Sequence, residues 1–201
     1  MNTLRKLYEQ KKYLTDKTSH YNYLESYSLQ FDRIRKDVKT FLEIGIYHGG
    51  SMEMWLDYFP NADIIGVDVI DQYTSTNPRI KVEIGDATHP NFIEYLVQKY
   101  GSFDIVLDDG SHRASDMRKA FNLLYQHTKY IYCIEDLLTQ YKNNPWGNFL
   151  DDVTMMSTLF DLVDKNNTDY KNNDYFQVSF SPWQCFILKN EFKKLLVDRT
   201  S

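Results

Sequence analysis

Short apolar runs alternate with longer amphipathic stretches along this chain from residue 40 onward. Runs such as TFLEIG and DIIGVDV are compact, whereas SMEMWLDYF and NFIEYLVQKY space their apolar residues at helical intervals. Parallel strands need a crossover of a dozen or more residues, usually a helix, before the next strand can begin. The alternation therefore predicts an α/β domain, a doubly wound parallel sheet with helices on both faces.

The first part of the chain departs from this rhythm. Residues 2–38 carry a weak helical pattern that the polar run TDKTSH interrupts, and the pattern predicts helices that lead into a core. We therefore divide the chain into an N-terminal helical segment, residues 1–39, and a main domain, residues 40–201.

The last part of the chain changes pattern again. Residues 150–164 begin with an acidic first turn and carry apolar residues at helical spacing, which predicts a helix packed on the sheet. The stretch YFQVSFSPWQCFILKN then contains two β-rich runs separated at Ser181-Pro182. So short a separation indicates an antiparallel hairpin.

Composition limits the classes of partner. The chain has 201 residues, a formal charge of -5 and no basic tract, so we expect no nucleic-acid partner. Neither a signal peptide nor a membrane-spanning run is evident, so we expect a cytoplasmic protein without a membrane partner. Cys133 and Cys185 lie in apolar strand-like runs, which is typical of small buried residues in a reducing compartment.

A glycine turn follows the first predicted strand in FLEIGIYHGGS. Its glycines do not form the G-x-G-x-x-G pattern of dinucleotide sites, and an acidic residue ends the strand. A carboxylate there repels a pyrophosphate and favours an ammonium group, which points to a nucleoside that carries an amino acid. Ser51 could cap the following helix, and a purely structural turn is the alternative. The candidate cofactor-binding residues of this turn are Glu43, Gly45, Tyr47, Gly49 and Ser51.

Two further carboxylates end the next predicted strands. Asp68 lies 23 positions after Gly45, where an acidic side chain reaches the ribose hydroxyls of an adenosine. Asp86 follows the third strand, near the expected adenine edge. Each could be an ordinary surface aspartate. However, ligands of such sheets bind at the carboxyl ends of the strands, and the glycine turn, Asp68 and Asp86 end three successive strands, which favours a cofactor site.

A second acidic group ends the fourth and fifth predicted strands. Asp109 follows FDIVLD, and Glu135 and Asp136 follow YIYCI. Neighbouring strands lie about 4.8 Å apart, so these carboxylates can converge on one point. Oxygen ligands without cysteine or paired histidine describe a hard-cation site, for Mg²⁺ first and Mn²⁺ or Ca²⁺ as alternatives. A solvated strand end is the other interpretation.

His112 lies three residues after Asp109 in the same turn. A bound cation lowers the pKa of a coordinated hydroxyl, so a modest base can then remove its proton, and His112 is placed for that role. Asp108, one residue before Asp109, would face the cofactor. Ser111 and Asp116 could simply begin a helix.

These motifs together resemble the class I S-adenosylmethionine-dependent methyltransferases, specifically the magnesium-dependent sugar O-methyltransferases of the macrolide type. The segments that carry the resemblance are LEIGIYHGGSMEMWLDYFPNADIIGVDV, GDA, FDIVLDDGSH and IEDLLTQY. The resemblance implies a Rossmann-like, mostly parallel seven-stranded sheet with a C-terminal antiparallel hairpin. It also implies S-adenosylmethionine as cofactor, Mg²⁺ or another divalent cation on Asp109, Glu135 and Asp136, and His112 as the base.

The expected activity is methylation of a hydroxyl on a sugar or glycosylated small molecule. The residues after IED depart from the family pattern, so the resemblance does not identify the acceptor. Alternatives are a catechol or other diol acceptor, a non-catalytic S-adenosylmethionine-binding protein, and a nicotinamide oxidoreductase, which the absent G-x-G-x-x-G disfavours. The aromatic-rich N-terminal segment offers a surface for a homo-oligomer.

Overall fold

One seven-stranded sheet runs through the computed structural model, which describes residues 3–18, 23–141, 153–168 and 173–198. The strand order is β3-β2-β1-β4-β5-β7-β6. The first five strands are parallel, and β7 is antiparallel to both of its neighbours. This arrangement confirms the predicted fold class. The strands are β1 (Thr40–Ile44), β2 (Asp63–Asp68), β3 (Ile80–Ile84), β4 (Phe103–Asp108), β5 (Thr128–Ile134), β6 (Tyr175–Ser181) and β7 (Gln184–Lys189).

Helices cover both faces of the sheet. Those described are α1 (Thr3–Lys11), α2 (Tyr23–Phe31), α3 (Gly50–Tyr58), α4 (Pro90–Tyr100), α5 (Ala114–Leu124), α6 (Met155–Thr168) and α7 (Asn190–Val197). The sequence pattern did not predict α7. The predicted helix over residues 150–164 is α6, which begins at Met155, and its acidic first turn, Asp151 and Asp152, lies outside the described residues.

Strict alternation along the strands divides the core into two layers. In β1, Phe41 packs with α2 and α3, while its neighbour Leu42 packs with the opposite layer. Ile131 and Tyr132 of β5 divide in the same way. Successive side chains of a strand point to opposite faces, so strands that are apolar on both faces need helices on both.

The N-terminal helices share the core of the main domain. Tyr27 and Phe31 of α2 are fully buried, and Tyr27 lies with its ring centroid 5.0 Å from that of Trp55 in α3, edge to face. Aromatic pairs in this geometry add stabilisation beyond their buried area. The division at residue 39 remains a prediction about organisation.

Strand register brings the functional strand ends to one edge of the sheet. Ile44 of β1 pairs with Asp108 of β4, which pairs with Ile134 of β5, so the residues that follow emerge side by side. Within the described residues, no helix combines the length and apolar character needed to cross a membrane.

Candidate active site

A cleft of about 930 Å³ opens at the carboxyl edge of the parallel strands. Its volume lies within the range of about 300–1,000 Å³ that is typical of small-molecule sites. We call the part formed by the glycine turn with Asp68 and Asp86 the turn side. We call the group of Glu43, Asp109, His112, Glu135 and Asp136 the acidic side, of which Asp109 and His112 line the cleft.

The glycine turn presses directly against the end of β4. Gly45 has φ +81°, and a Cβ built on it would lie 2.1 Å from the carbonyl oxygen of Asp109. No side chain can occupy that space, so glycine is required here by packing as well as by backbone conformation. Gly45 therefore allows the turn side and the acidic side to touch, and a role in close approach of a ligand remains a prediction.

Ser51 does not cap α3, which corrects the expectation from the sequence. The N-cap of the helix is Gly49, with φ 75° and no side-chain cap. The Ser51 hydroxyl instead donates to Glu43 Oε2 at 2.8 Å. Ser51 thus orients a buried carboxylate at the boundary between the two sides of the cleft.

On the turn side, backbone amides already hold the carboxylates. Asp68 Oδ2 accepts hydrogen bonds from the amides of Ile46 (3.1 Å) and Tyr47 (3.0 Å), and Oδ1 accepts from Ile70. Asp86 Oδ1 accepts from the Thr88 amide at 2.8 Å. Burial raises the pKa of Asp86, but the hydrogen bonds from Thr88 and the charges of His89 and Lys119 together outweigh burial and lower that pKa. Both side chains are fixed at the edge of the cleft.

Asp108 is the last residue of β4 and is 3% exposed. Its Oδ1 accepts from the Gly110 amide at 3.3 Å, while Oδ2 is buried without a hydrogen-bond partner among the described residues. Burial raises the pKa of Asp108 to about 7, against the opposing influence of the Gly110 amide and of His112.

A lysine that the sequence analysis missed lies inside the acidic side. Lys17, from a short 3-10 helix Asp16–Thr18, is 2% exposed. Its Nζ lies 2.5 Å from Asp109 Oδ2, 3.0 Å from Glu135 Oε2 and 3.3 Å from Glu43 Oε1. Lys17 occurs in the polar run TDKTSH, where nothing in the hydrophobic pattern signals burial. From the sequence we also expect His20, which ends that run, and the following Tyr21 to line the pocket, and both lie outside the described residues.

The charges around this lysine do not balance. Burial raises the pKa of Glu43 and of Glu135 to about 7 in each case, although Lys17 opposes the shift. Burial lowers the pKa of Lys17, but the carboxylates outweigh it and hold that pKa well above its ordinary value. One ammonium group thus faces three carboxylates, which leaves an excess of two negative charges when all are ionised.

Asp136 and His112 lie on the outer part of the acidic side. The Tyr23 hydroxyl donates to Asp136 Oδ1 at 2.7 Å, and Asp136 Oδ2 lies 3.6 Å from His112 Nε2. One ligand atom each from Asp109, His112 and Asp136 lie within 4.8 Å of one another. Three donor atoms that close can share one cation.

Two of these residues have a positive φ, a backbone conformation that residues other than glycine rarely adopt. His112 has φ 59° and Asp136 has φ 53°. Thr139 Oγ1 lies 2.9 Å from the carbonyl oxygen of His112 and 2.8 Å from that of Asp136, so its hydroxyl joins the two turns. Such strained residues persist where the surrounding structure over-determines them, and they cluster at functional sites.

The donors present fit a divalent cation. Glu135 Oε1 is buried and accepts no hydrogen bond from any residue the structure describes, and the cluster retains excess negative charge. The set comprises carboxylates and one imidazole, which suits Mg²⁺ or Mn²⁺ better than a thiolate-preferring metal. Of the predicted ligands, Asp109 and Asp136 converge with His112, while Glu135 faces Lys17.

The remaining predicted features are simple. Ser111 accepts from the Arg113 amide at 3.3 Å and donates to Asp116 at 2.8 Å, so it stabilises the turn before α5, whose N-cap is Arg113. Cys133 and Cys185 are buried and free, as expected. Exposed apolar side chains line the mouth of the cleft: Leu14, Tyr47, Val69 and Ile70.

Comparison with known proteins gives one family. Residues 23–178 match the family described as FtsJ-like methyltransferase.

The curated relatives include two enzymes named as O-methyltransferases. Mycinamicin VI 2''-O-methyltransferase of Micromonospora griseorubida is 34% identical over 145 residues, which are 66% of this chain and 35% of that protein. Demethylmacrocin O-methyltransferase of Streptomyces fradiae is 34% identical over 170 residues, which are 76% of this chain and 42% of that protein. The chain therefore spans less than half the length of either relative.

A solved structure agrees with these matches. MycE methyltransferase from the mycinamycin biosynthetic pathway, in complex with Mg, SAH and mycinamycin VI, superimposes with a TM-score of 0.80 at 28% identity. The match covers 92% of this chain and 54% of that one. These comparisons confirm the resemblance drawn from the glycine turn and the strand-end carboxylates.

Proposed function

This chain belongs to the FtsJ-like methyltransferase family, and from that premise we propose that it transfers the methyl group of S-adenosylmethionine to a hydroxyl group of a sugar or sugar-bearing small molecule. A divalent cation, Mg²⁺ first, would assist the transfer. The relatives and the structural match cover this chain's fold and cleft but extend well beyond its length.

One observation carries the proposal. Asp109, His112 and Asp136 place a ligand atom each within 4.8 Å of one another, and Asp109 and His112 line the same cleft as the glycine turn. Metal-assisted transfer to a hydroxyl requires cation ligands, a base and a cofactor-binding turn close together. The reason is that the acceptor oxygen must reach both the activating group and the methyl donor.

The turn side would bind the cofactor. Asp68 and Asp86 lie at successive strand ends, where carboxylates accept from ribose and adenine groups. Glu43 and Asp108 lie deeper, toward the expected amino-acid part. Both carboxylates have a pKa near 7, raised by burial, so each can accept from an ammonium group when ionised or donate to a carboxylate when protonated.

His112 would take the acceptor's proton. Its Nδ1 is buried without a hydrogen-bond partner in the described part of the chain, so the partly exposed ring presents Nε2 to the cleft. Asp136 Oδ2 lies 3.6 Å from Nε2, beside the imidazolium that would form when the hydroxyl gives up its proton. The hydroxyl oxygen then forms a bond to the methyl carbon while the carbon–sulfur bond breaks, and S-adenosylhomocysteine leaves.

Asp109, Asp136 and Glu135 would hold the divalent cation, which leaves His112 free to act as the base. When bound, that cation lowers the pKa of the acceptor hydroxyl and fixes its position. Thr139 keeps the two strand-end turns at a constant separation through its contacts with their carbonyl oxygens.

The acceptor class rests on the relatives and on the cleft mouth. The names of the two curated relatives give a mycinamicin and a macrocin derivative as their acceptors. In this chain, exposed Leu14 and Tyr47 line the same cleft as the polar Asp109 and His112. A polar sugar linked to an apolar group would match both surfaces.

The test is a product assay on a panel of acceptors. The purified chain would be incubated with S-adenosylmethionine and either glycosides or catechols, with and without EDTA, and mass spectrometry would detect methylated product. We expect product from glycosides, loss of product with EDTA, and recovery on adding excess Mg²⁺.

A charge-removing variant and a matched control complete the test. Asp136→Asn should lower turnover at least about 100-fold, while Asp161→Asn, on the exposed face of α6, should leave it unchanged. Product from catechols alone would overturn the acceptor class but keep the mechanism. Cofactor binding without any product would instead indicate a non-catalytic protein.

A further inference from the structure

The described part of the acidic side contains one cation of its own, the ammonium group of Lys17. The proposed function assigns it no task. Its three partners come from three adjacent strands, because Glu43 lies in β1, Asp109 follows β4 and Glu135 follows β5. A single side chain from outside the sheet therefore joins three strand ends.

The ammonium group of Lys17 neutralises only part of the negative charge of the surrounding carboxylates. Glu135 Oε1 remains buried without a hydrogen-bond partner in the described ranges, and Glu43 Oε2 is held by Ser51. Asp136 adds a further carboxylate on the outer side. The ammonium group is thus a partial counter-ion, and the site remains attractive to a second, more highly charged cation.

Asp109 belongs to both arrangements. Its Oδ2 lies 2.5 Å from Lys17 Nζ, and it also supplies a ligand atom to the group with His112 and Asp136. A divalent cation on that group would share one carboxylate with the ammonium. Two like-charged groups at such a separation repel each other, while each is attracted to the same oxygens.

We propose that Lys17 is a positioning residue that holds Glu43, Asp109 and Glu135 together before a divalent cation binds, and that its charge weakens the binding of that cation. The proposal rests on the proposed function in treating this cleft as a cation site. It goes further because it makes Lys17 an internal competitor that lowers the affinity of the site for the divalent cation.

Removing the charge should expose both effects. In Lys17→Met the carboxylates lose their counter-ion, so the metal-free protein should unfold at a lower temperature, because uncompensated buried charges are strongly destabilising. A divalent cation should then bind more tightly than in the unaltered chain, by at least about tenfold, because the nearby repulsion is gone. Saturating cation should also restore most of the lost thermal stability.

The experiment is a titration with Mn²⁺, followed by electron paramagnetic resonance, without cofactor or acceptor. The variants are Lys17→Met and Lys17→Gln, the second of which keeps hydrogen-bond donors and serves if the first does not fold. Lys17→Arg keeps the charge and should bind Mn²⁺ like the unaltered chain. Lys11→Met, which removes an exposed ion pair with Asp57 from the same segment, is the matched control and should also leave the affinity unchanged.

Each outcome is decisive. Tighter Mn²⁺ binding by the neutral variants supports the proposal, and equal or weaker binding overturns it while leaving the metal-dependent function intact. If only the neutral variants bind Mn²⁺, the competition between Lys17 and the cation is supported, and metal dependence of the natural chain is overturned. Absence of binding in every protein overturns both.

Discussion

The two sides of the cleft hold their carboxylates by different means. On the turn side, Asp68 takes three backbone amides from residues within 22 positions, and Asp86 takes one from two residues away. On the acidic side, Glu135 depends on Lys17, which is 118 positions away, and keeps one buried oxygen without a partner in the described residues. The first arrangement is complete by itself, whereas the second is not.

The difference separates rigid binding from chemistry. A carboxylate whose oxygens accept from backbone amides is fixed in position, which suits recognition of a constant ligand. Buried carboxylates with raised pKa values respond to whatever charge enters, which suits a site that must bind a cation and move a proton. Substitutions on the two sides should therefore alter different measured quantities.

The largest expected effect is on the acidic side. His112→Ala removes the proposed proton acceptor, so kcat should fall by about 10²–10⁴ while the affinity for S-adenosylmethionine changes little. Steady-state kinetics and calorimetric titration measure the two quantities. His127→Ala, in the short 3-10 helix after α5, is the control. Unchanged kcat in His112→Ala would contradict the assignment.

On the turn side, Asp68→Ala should affect binding first. It removes the acceptor of three backbone amides and the expected partner of the ribose, so the Kd for S-adenosylmethionine should rise about tenfold or more, with a smaller effect on kcat at saturation. The exposed Asp71, changed to Ala, should bind normally. A fall in kcat alone would remove the distinction between the two sides.

A smaller effect should follow from the hydroxyl that joins two acidic-side turns. Thr139→Val keeps the shape but loses the contacts with the His112 and Asp136 carbonyls, so kcat should fall several-fold and stability by about 1 kcal/mol. Thr139→Ser keeps the hydroxyl and should retain most activity. If both variants behave alike, the hydroxyl does not position these turns.

The smallest effect is on pH-dependent stability. Asp108, Glu43 and Glu135 have pKa values of about 7 in the folded chain and near 4 when unfolded, so the folded state holds more protons between those values. Stability of the metal-free protein should therefore fall as pH rises from about 5 to about 8, lowering Tm by several degrees. Differential scanning calorimetry measures it, and Asp108→Asn should reduce the slope. A Tm that rises over this range would contradict the raised pKa values.

The sequence predicted the sheet and most of the strand-end residues because those follow from local patterns. Short apolar runs that alternate with helical stretches predict β1 to β5. The register of the strands then brings Asp109 beside Glu135. The carboxylates of the turn side were predicted from the same strand pattern. Helix α7 was not predicted, and α6 begins at Met155 where the pattern predicted a start at residue 150, because short amphipathic runs near strands give weak signals.

The arrangement on the acidic side could not be predicted in the same way. Lys17 lies in a polar run, and a charged residue is almost never fully buried unless paired, so its position depends on partners that only the fold supplies. The task of Ser51 was predicted wrongly for a related reason. Its hydroxyl can cap a helix or meet a buried carboxylate, and Glu43 decides between them.

The sequence separation of Lys17 from its partners also orders the assembly of the cleft. Lys17 leaves the ribosome long before Asp109 and Glu135, which are 92 and 118 positions later. Contacts between residues so far apart form late, because the intervening chain must first lose its conformational freedom. A nascent chain that ends before Glu135 thus carries the glycine turn, the lysine and Asp109 but lacks Glu135 and Asp136, so the acidic side is completed only when the residues after β5 have been added.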